Sequence, residues 1–279
     1  MFSLRKRFKK KKKVLAIVPI QGEIYATPSG SYNKKGGTQD ILDFLYDYLD
    51  PSTAIDGLLL RMDTPGGTAG ASEEVAELVA RIKRERHIPV VVTIADICCS
   101  GGYMIACVAD KIFANKGSMT GSIGCIMQIP NFEGLSKKLG VTYVTIKSGR
   151  MKDIGNPMRE MTDEERAYLD TFARETHEAF VAHVEKYRPQ IKDQEHMFDG
   201  RPVGAVLARE NGLIDEFGGY YDAYDELLNM MGEKNDHNVD VEAFERKKSL
   251  LHRLLGNTQA FSLTDVMRQL FTKGSYTLR

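Results

Sequence analysis

Ser100 is the residue of this sequence best placed to act as a nucleophile. It follows a predicted strand that ends in Cys98 and Cys99, and it precedes Gly101 and Gly102 at the start of a predicted helix. A hydroxyl at such a strand-to-helix junction is exposed at the edge of a sheet, and a helix N-terminus favours developing negative charge. The commoner role of serine at this position is to cap the helix, so position alone leaves both interpretations open.

Two further glycine-rich turns follow predicted strands, at Asp63–Gly67 and Thr120–Gly124. Neither has the glycine spacing of a nucleotide-binding loop. Glycine permits unusual φ angles and close approach, so such turns can bring backbone N–H groups towards a reacting carbonyl. An oxyanion hole requires this arrangement, and ligands of α/β proteins bind at such strand ends.

A serine nucleophile needs a base, and the sequence offers histidine or lysine. Among six histidines only His196 is a loop candidate, so a Ser-His-Asp triad is open but unsupported. Lys152 lies in the loop Ser148–Gly155, directly after a predicted strand. To act as a base its pKa has to fall from about 10.4 to about 7, which requires apolar surroundings. Ser122 could orient this amine, although most lysines in loops are simply solvated.

The net charge of the chain is zero, because 38 basic residues balance 38 acidic ones. The distribution is uneven: residues 1–13 carry eight basic residues and no acidic one, whereas residues 14–240 carry 23 basic and 35 acidic residues. A net charge of zero argues against a general nucleic-acid binder, so no nucleic-acid partner is expected. Taken alone, the basic N-terminal residues could bind anionic lipid, nucleic acid or the acidic body, or remain solvated.

The sequence indicates neither a membrane span nor a signal peptide. No apolar run reaches the roughly 18 residues that a spanning helix needs, and the run Val14–Ile20 is too short for the apolar core of a signal peptide. The four cysteines, at 98, 99, 107 and 125, show no zinc-type CxxC spacing. They fit free thiols in a reducing compartment. We therefore expect a cytoplasmic chain without a metal site.

Predicted strands alternate with predicted helices, which is typical of βαβ units and of the α/β class. Apolar runs predict strands at Val14–Pro19, Ile55–Met62, Pro89–Ile94 and Val141–Ile146. A long helix is predicted over Thr162–Tyr187, where Thr162 and Glu165 form a capping box. Because residues 232–248 are polar and charged, the predicted organisation is a basic arm at 1–13, one domain at 14–235, and a linker with a C-terminal tail at 236–279.

Six motifs occur in order along residues 14–225. They are Arg61–Gly67, Ser100–Tyr103, Ala109–Ile112, Thr120–Gly124, Ser148–Gly149 with Lys152–Asp153, and Gly212–Asp215. This combination resembles the signal peptide peptidase A (SppA) family, the Ser-Lys serine peptidases of peptidase family S49. The resemblance implies an α/β protein with the ClpP/crotonase-like fold of repeated ββα units.

The resemblance also implies a role for each matching residue. Ser100 is the nucleophile, Lys152 is the general base, and Ser122 is the hydroxyl that holds the lysine amine in place. The backbone N–H groups of Gly67 and Gly101 form the oxyanion hole. The reaction is then the hydrolysis of a peptide bond through an acyl-enzyme, and it needs no cofactor.

The substrates and the assembly follow from the same resemblance. The family cleaves extended peptides, typically remnant signal peptides, with small or apolar side chains near the cut. Members of this length form homo-oligomeric rings, octamers by resemblance, in which Ser and Lys can come from neighbouring subunits. We expect Cys98, Cys99 and Ile123 to line the substrate cleft, although they could equally be part of the core.

The N-terminus departs from the family pattern, because most members carry a membrane span there and this chain has the basic arm. We expect residues 5–13 to contact the inner face of an anionic membrane, at about 1 kcal/mol per basic residue near the surface. Two alternative functions remain open. One is a crotonase-like enzyme acting on acyl-CoA, and the other is a non-catalytic, membrane-associated scaffold on the same fold.

Overall fold

Three long parallel strands form the centre of a sheet that has eight strands among the described residues. The computed structural model describes residues 12–26 and 38–244. The strands are β1 (Lys13–Gln21), β2 (Gly57–Thr64), β3 (Val90–Cys99), β4 (Lys111–Ala114), β5 (Met119–Gly121), β6 (Pro202–Gly204), β7 (Glu216–Phe217) and β8 (Val239–Ala243). Their order is β6-β5-β3-β2-β1-β8, with β4 beside β3 and β7 beside β4. All pairs are parallel except β5 with β6.

Eight α-helices accompany these strands in the described part of the chain. They are α1 (Gln39–Tyr46), α2 (Ala69–Arg86), α3 (Gly101–Ala106), α4 (Glu133–Lys138), α5 (Asp163–Tyr187), α6 (Gln194–Met197), α7 (Ala205–Glu210) and α8 (Tyr220–Met230). Within residues 12–26 and 38–244, no helix has an apolar stretch long enough to cross a membrane.

The sheet is covered by helices on both faces. Leu58, Leu59 and Leu60 of β2 are all fully buried, and successive side chains of a strand point to opposite faces. Leu58 and Leu60 belong to the larger apolar cluster, which includes Val79 of α2, whereas Leu59 belongs to a second cluster with Leu227 of α8. Such continuous apolar runs are typical of parallel strands that are buried on both sides. The predicted α/β class is confirmed.

Successive units consist of a long strand, a short extended segment and a helix. β2 is followed by Gly67, which forms a β-bridge with Ile24, and then by α2. β3 pairs with β4 through Val91–Ile94 and with β5 through Ile97–Cys99, and α3 follows. These are the repeated ββα units of the ClpP/crotonase-like fold. The short segments lie beside one another, so the turns after β2, β3 and β5 meet.

Helix α5 begins where the sequence predicts. Thr162 accepts a hydrogen bond from the Glu165 backbone N–H, and the Glu165 side chain accepts one from the Thr162 N–H, so the predicted capping box is present. The helix has 25 residues, yet only Glu165, Phe180 and Val184 are buried. Its first half therefore has an apolar face that the described residues do not cover, where Tyr168 and Phe172 are 60% and 51% exposed.

Two predicted features differ from the structure. Residues 141–146 form no strand and are exposed, because no other strand lies beside them. Conversely, β8 lies beyond the predicted boundary at residue 235, since Val239–Ala243 pairs with β1 and extends the sheet. Residues 1–11, 27–37 and 245–279 lie outside the described residues, and with them most of the predicted basic arm and tail.

Candidate active site

Ser100 adopts a left-handed backbone conformation at the junction of β3 and α3. Its φ is 52° and its ψ is −124°. Its N–H donates to the Gly121 carbonyl at 2.8 Å, and its carbonyl accepts from the Met104 N–H at 3.0 Å. Positive φ at a non-glycine residue costs about 1–3 kcal/mol and persists only where the surroundings enforce it. Here β5 and α3 enforce it and leave the Ser100 side chain partly exposed.

The glycines of the turn after β2 lie directly against Ser100. A Cβ atom built on Gly66, whose φ is +98°, would lie 2.8 Å from the Ser100 Cβ and 2.9 Å from the Gly101 nitrogen. A Cβ atom built on Gly101 would lie 2.0 Å from the Ser72 Oγ and 3.5 Å from the Gly67 nitrogen. A side chain at Gly66 or Gly101 would therefore separate the two turns.

The backbone nitrogens of Gly67 and Gly101 are consequently neighbours. Ile24 holds the Gly67 turn, because its N–H donates to the Gly66 carbonyl and its carbonyl accepts from the Thr68 N–H, both at 2.8 Å. Within the described residues, neither the Gly67 N–H nor the Gly101 N–H donates a hydrogen bond. Unpaired N–H donors beside a hydroxyl can stabilise the oxyanion of a tetrahedral intermediate.

Ser122 lies at the end of β5 and lines the same cavity as Ser100. It too has a positive φ, of 52°, and its N–H donates to the Arg201 carbonyl at 2.9 Å. Its hydroxyl donates to the Gly200 carbonyl at 3.1 Å. Because this bond uses the hydroxyl proton, the oxygen can still accept a hydrogen bond from an amine.

The cavity beside Ser100 has a volume of about 1170 Å³. The turn after β2, the start of α3 and the segment after β5 form one side, and α5 forms another. The apolar lining consists mainly of Pro65, Met104, Cys125, Ile126, Phe172 and Phe180. A cleft of this size, apolar with a few polar groups, suits an extended peptide better than a small metabolite.

Cys98, Cys99 and Ile123 lie in the protein interior rather than along this cavity. Each is at most 4% exposed, and none lines the cavity. Burial raises the pKa of the Cys99 thiol to about 11, and it also raises the pKa of Cys98. These thiols are therefore protonated near neutral pH, and they pack behind Ser100 as core residues.

Lys152 lies in an exposed turn, away from this cavity lining. Its N–H donates to the Gly149 carbonyl at 3.1 Å, and its side chain is exposed. It does not line the cavity that contains Ser100 and Ser122. The described chain thus brings together Ser100, Ser122, Gly67 and Gly101, and it holds Lys152 apart from them.

His177, a residue of α5 that the sequence analysis does not single out, lines the cavity. Its Nε2 atom is buried and has no hydrogen-bond partner among the described residues. His177 lies three positions before Phe180, so helical spacing relative to this aromatic residue is the signal that could have placed it here. His196 pairs with Asp193 at 2.7 Å and does not line the cavity.

A metal site is not evident in the part of the chain that the structure describes, since no three side chains of His, Cys, Asp or Glu are grouped to hold an ion. The polar groups that line the cavity with Ser100 are hydroxyls, backbone amides, His177 and the charged side chains of Glu23, Arg174 and Asp199. The hydroxyls and amides suit acyl transfer to a hydroxyl.

Comparison with known proteins connects this geometry to a family. The sequence model of peptidase family S49 matches residues 82–233. A Methanocaldococcus jannaschii protein named "Putative protease MJ0651" is 38% identical over 204 residues, which cover 73% of this chain and 65% of that protein. An Enterococcus faecium protein named "Putative signal peptide peptidase SppA" is 39% identical over 175 residues, which cover 62% of this chain and 51% of that protein.

A third relative matches over a larger share of its own length. The Synechocystis protein named "Putative protease slr0021" is 36% identical over 200 residues, and the match covers 71% of each chain. A solved structure, the 1510-N membrane-bound stomatin-specific protease in complex with a substrate peptide, aligns with a TM-score of 0.48 and 16% identity over 94% of this chain and 99% of that one. The family model and the curated relatives agree with the motifs in the sequence, and the chain belongs to peptidase family S49.

Proposed function

We propose that this chain is a serine peptidase that cleaves extended, apolar peptides with Ser100 as the nucleophile and Lys152 as the general base. The observation that carries the proposal is the strained Ser100 turn beside the unpaired N–H groups of Gly67 and Gly101. A hydroxyl held in this way reaches a carbonyl whose oxygen faces both donors. The peptide cleft in front of it supplies the room for a substrate.

The reaction proceeds through an acyl-enzyme. The neutral Lys152 amine takes the Ser100 hydroxyl proton as Oγ bonds to the scissile carbonyl carbon, and the resulting oxyanion binds the Gly67 and Gly101 N–H groups. The intermediate collapses, the C–N bond breaks, and the leaving amine receives the proton from Lys152. Water then attacks the ester carbonyl carbon and gives a proton to Lys152. The ester C–O bond breaks, the Ser100 oxygen takes that proton, and the carboxylic acid product is released.

In this proposal a second copy of the chain supplies Lys152. The exposed segment (residues 126–150) contains no buried residue, although it is rich in large apolar side chains. These are Ile126, Met127, Ile129, Phe132, Leu135, Leu139, Val141, Tyr143, Val144 and Ile146. Isolated soluble chains rarely expose so much contiguous apolar sequence, which instead marks an interface.

A closed ring explains both the exposed segment and the separation of Lys152 from Ser100. A head-to-tail contact uses two different surfaces of each copy, and it closes into a ring when the rotation permits. The exposed segment of one copy would cover the cavity of the next copy and the uncovered α5 face beside that cavity. It would thereby bring Lys152 of the first copy to Ser122 of the second. An octamer is the ring size that the family resemblance implies.

The proposed substrates are remnant signal peptides or peptides of similar apolar character. Met104, Phe172 and Phe180, with glycine backbone, form an apolar part of the cavity wall, which favours small or apolar side chains there. The charged residues of the lining are Glu23, Arg174 and Asp199. Similarity to an Enterococcus faecium protein with signal peptide peptidase in its name supports the same substrate class.

The proposed location is the cytoplasm, at the inner face of an anionic membrane. Lys12 pairs with Asp240, and Lys13 contacts Glu233 and the Met231 carbonyl, so these two lysines bind the acidic body. The remaining basic residues, at 5–7 and 9–11, would then provide the lipid contact. Co-sedimentation with anionic vesicles, compared between the full chain and a chain lacking residues 1–11, tests it; equal binding at low salt would refute it.

Covalent labelling of Ser100 tests the proposed function. A fluorophosphonate or a peptide aldehyde should modify the Ser100 hydroxyl, as located by mass spectrometry, and should abolish hydrolysis of a fluorogenic apolar peptide. Ser100→Ala should lose labelling and activity, and Lys152→Ala should lower both by about 10³-fold or more, because the nucleophile loses its base.

His177→Gln is the matched comparison, since His177 is a histidine that lines the Ser100 cavity. If Lys152 is the base, His177→Gln keeps the acid limb of the pH profile where the wild type has it. Loss of that limb in His177→Gln, with full activity in Lys152→Ala, would replace the proposed dyad by a Ser-His pair. Turnover of acyl-CoA, or inertness of a well-folded oligomer, would favour the two alternative functions.

A further inference from the structure

The turn that carries Lys152 is held by a network of charged side chains around Asp153. The Arg159 Nε donates to Asp153 Oδ2 at 2.9 Å, and its Nη2 donates to the Asp153 carbonyl at 3.2 Å. Lys147 binds the other carboxylate oxygen of Asp153. The residue directly after Lys152 is thus fixed through both its side chain and its backbone.

The same guanidinium reaches the start of α5. Arg159 Nη1 donates to Glu165 Oε2 at 2.7 Å, and Nη2 contacts Glu165 Oε1 in a bidentate pair. The Glu165 carboxylate is buried and also accepts from the Thr162 N–H at 3.0 Å as part of the capping box. One planar group therefore connects the Lys152 turn to the N-terminus of a 25-residue helix.

The packing of α5 fixes one end of this connection. α5 packs into the core through Phe180 and Val184 and lines the Ser100 cavity through Phe172 and His177. The pKa values of Asp153 and Glu165 lie below their usual range because the Arg159 guanidinium binds both carboxylates. Both carboxylates are therefore charged wherever a peptidase would work, and the network stays intact.

We infer that Arg159, through Asp153 and Glu165, is a positioning residue for Lys152. The inference rests on the proposed function and deepens it, because it names the group that holds the general base at a set place relative to α5. Lysine cannot replace arginine here, since a single ammonium does not bind two carboxylates in the fork geometry of a guanidinium. The motif search did not single out Arg159, which lies seven positions after Lys152.

The test compares Arg159→Ala and Arg159→Lys with Arg81→Ala. Arg81 is the control because its guanidinium also pairs with a glutamate, Glu85 of α2, but is exposed and lies outside the exposed segment and the Lys152 turn. For both Arg159 variants we expect kcat to fall about 10- to 100-fold with KM nearly unchanged, because the base is misplaced while the cleft is intact. Arg81→Ala should remain within about twofold of the wild type.

The pH profile separates positioning from a general loss of folding. If Arg159 positions the base, the acid limb of kcat/KM should move in both Arg159 variants and stay in place in Arg81→Ala. Added guanidinium ion should partly restore Arg159→Ala but not Lys152→Ala. Oligomeric state, followed by light scattering, should match that of the wild type.

If the wild type is active and depends on Lys152, but the acid limb does not move in either Arg159 variant, this inference alone is overturned. The inference would also be overturned if the rate of the Arg159 variants fell only in proportion to the fraction of Ser100 that a covalent probe labels. Such a result would mean fewer active sites and not a misplaced base. A wild type whose activity does not depend on Lys152 would overturn the proposed function, and this inference with it. If Arg159→Ala does not fold, Arg159→Lys decides by the same criteria.

Discussion

Ser100 and Ser122 share an uncommon property, because each has a positive φ directly after the end of a strand. Their positions are coupled, since the Ser100 N–H binds the carbonyl of Gly121, the residue before Ser122. The two hydroxyls therefore face one cavity from adjoining turns. The sequence predicts this meeting because both residues follow strands of a parallel sheet, whose carboxyl ends lie together.

At the residue scale, the sequence does not predict the contacts that side chains make between different elements. Arg159 carries no local signal, because its contacts depend on where α5 lies. For His177 the helical spacing indicates a face of α5 but not the cavity that this face lines. Cys98, Cys99 and Ile123 are apolar neighbours of the candidate site in sequence, yet they face the core. Adjacent residues at a strand end point in opposite directions, so proximity to Ser100 does not imply exposure in the cleft.

Substitution of Ser122 tests the role of its hydroxyl. Ser122→Ala and Ser122→Gly should each lower kcat about tenfold or more with little change in KM, since the lysine amine loses its acceptor. Glycine relieves the positive φ whereas alanine retains it, so equal losses assign the effect to the hydroxyl. Full activity in Ser122→Gly would show that only the backbone matters at this position.

At the scale of elements, long apolar runs and caps are well predicted. β1, β2, β3 and α5 are found where the periodicity and the capping box predict them. β8 is missed, because four of its five residues are exposed and its strand conformation comes from pairing with β1. The run at 141–146 has high strand propensity but no partner strand, and propensity alone does not make a sheet.

The start of α5 has a pH dependence that its contacts predict. Arg159 and the Thr162 N–H lower the pKa of Glu165 to about 2, against about 4.3 for an unperturbed glutamate. A carboxylate with a depressed pKa stabilises the folded state above its unfolded pKa, and this contribution is lost as the pH falls towards 2.

The stability difference between the wild type and Glu165→Gln should therefore shrink as the pH falls from about 5 to about 2. Thermal unfolding followed by circular dichroism measures it. Glu164→Gln is the control, because Glu164 is exposed at the adjacent position and pairs with Arg150 instead of Arg159. A difference that stays constant over this range would contradict the assigned contacts of Glu165.

For the whole molecule, the main consequence of the proposed function is that one chain does not form a complete site. The cavity holds Ser100, a second hydroxyl and the amide donors, while Lys152, the proposed base, lies in a turn outside the cavity lining. The exposed segment and the uncovered face of α5 are the surfaces available to a neighbour. The sequence does not predict which surfaces are left uncovered, since an apolar pattern looks the same in a core and at an interface.

The most direct measurement mixes two inactive variants, Ser100→Ala and Lys152→Ala, under conditions that allow subunits to exchange. If each site takes Ser100 from one copy and Lys152 from the next, random mixing in equal amounts rebuilds about a quarter of the sites, so peptidase activity should return to about a quarter of the wild-type value. Native mass spectrometry establishes that mixed oligomers have formed. Mixed oligomers that remain inactive would contradict a site shared between neighbouring copies.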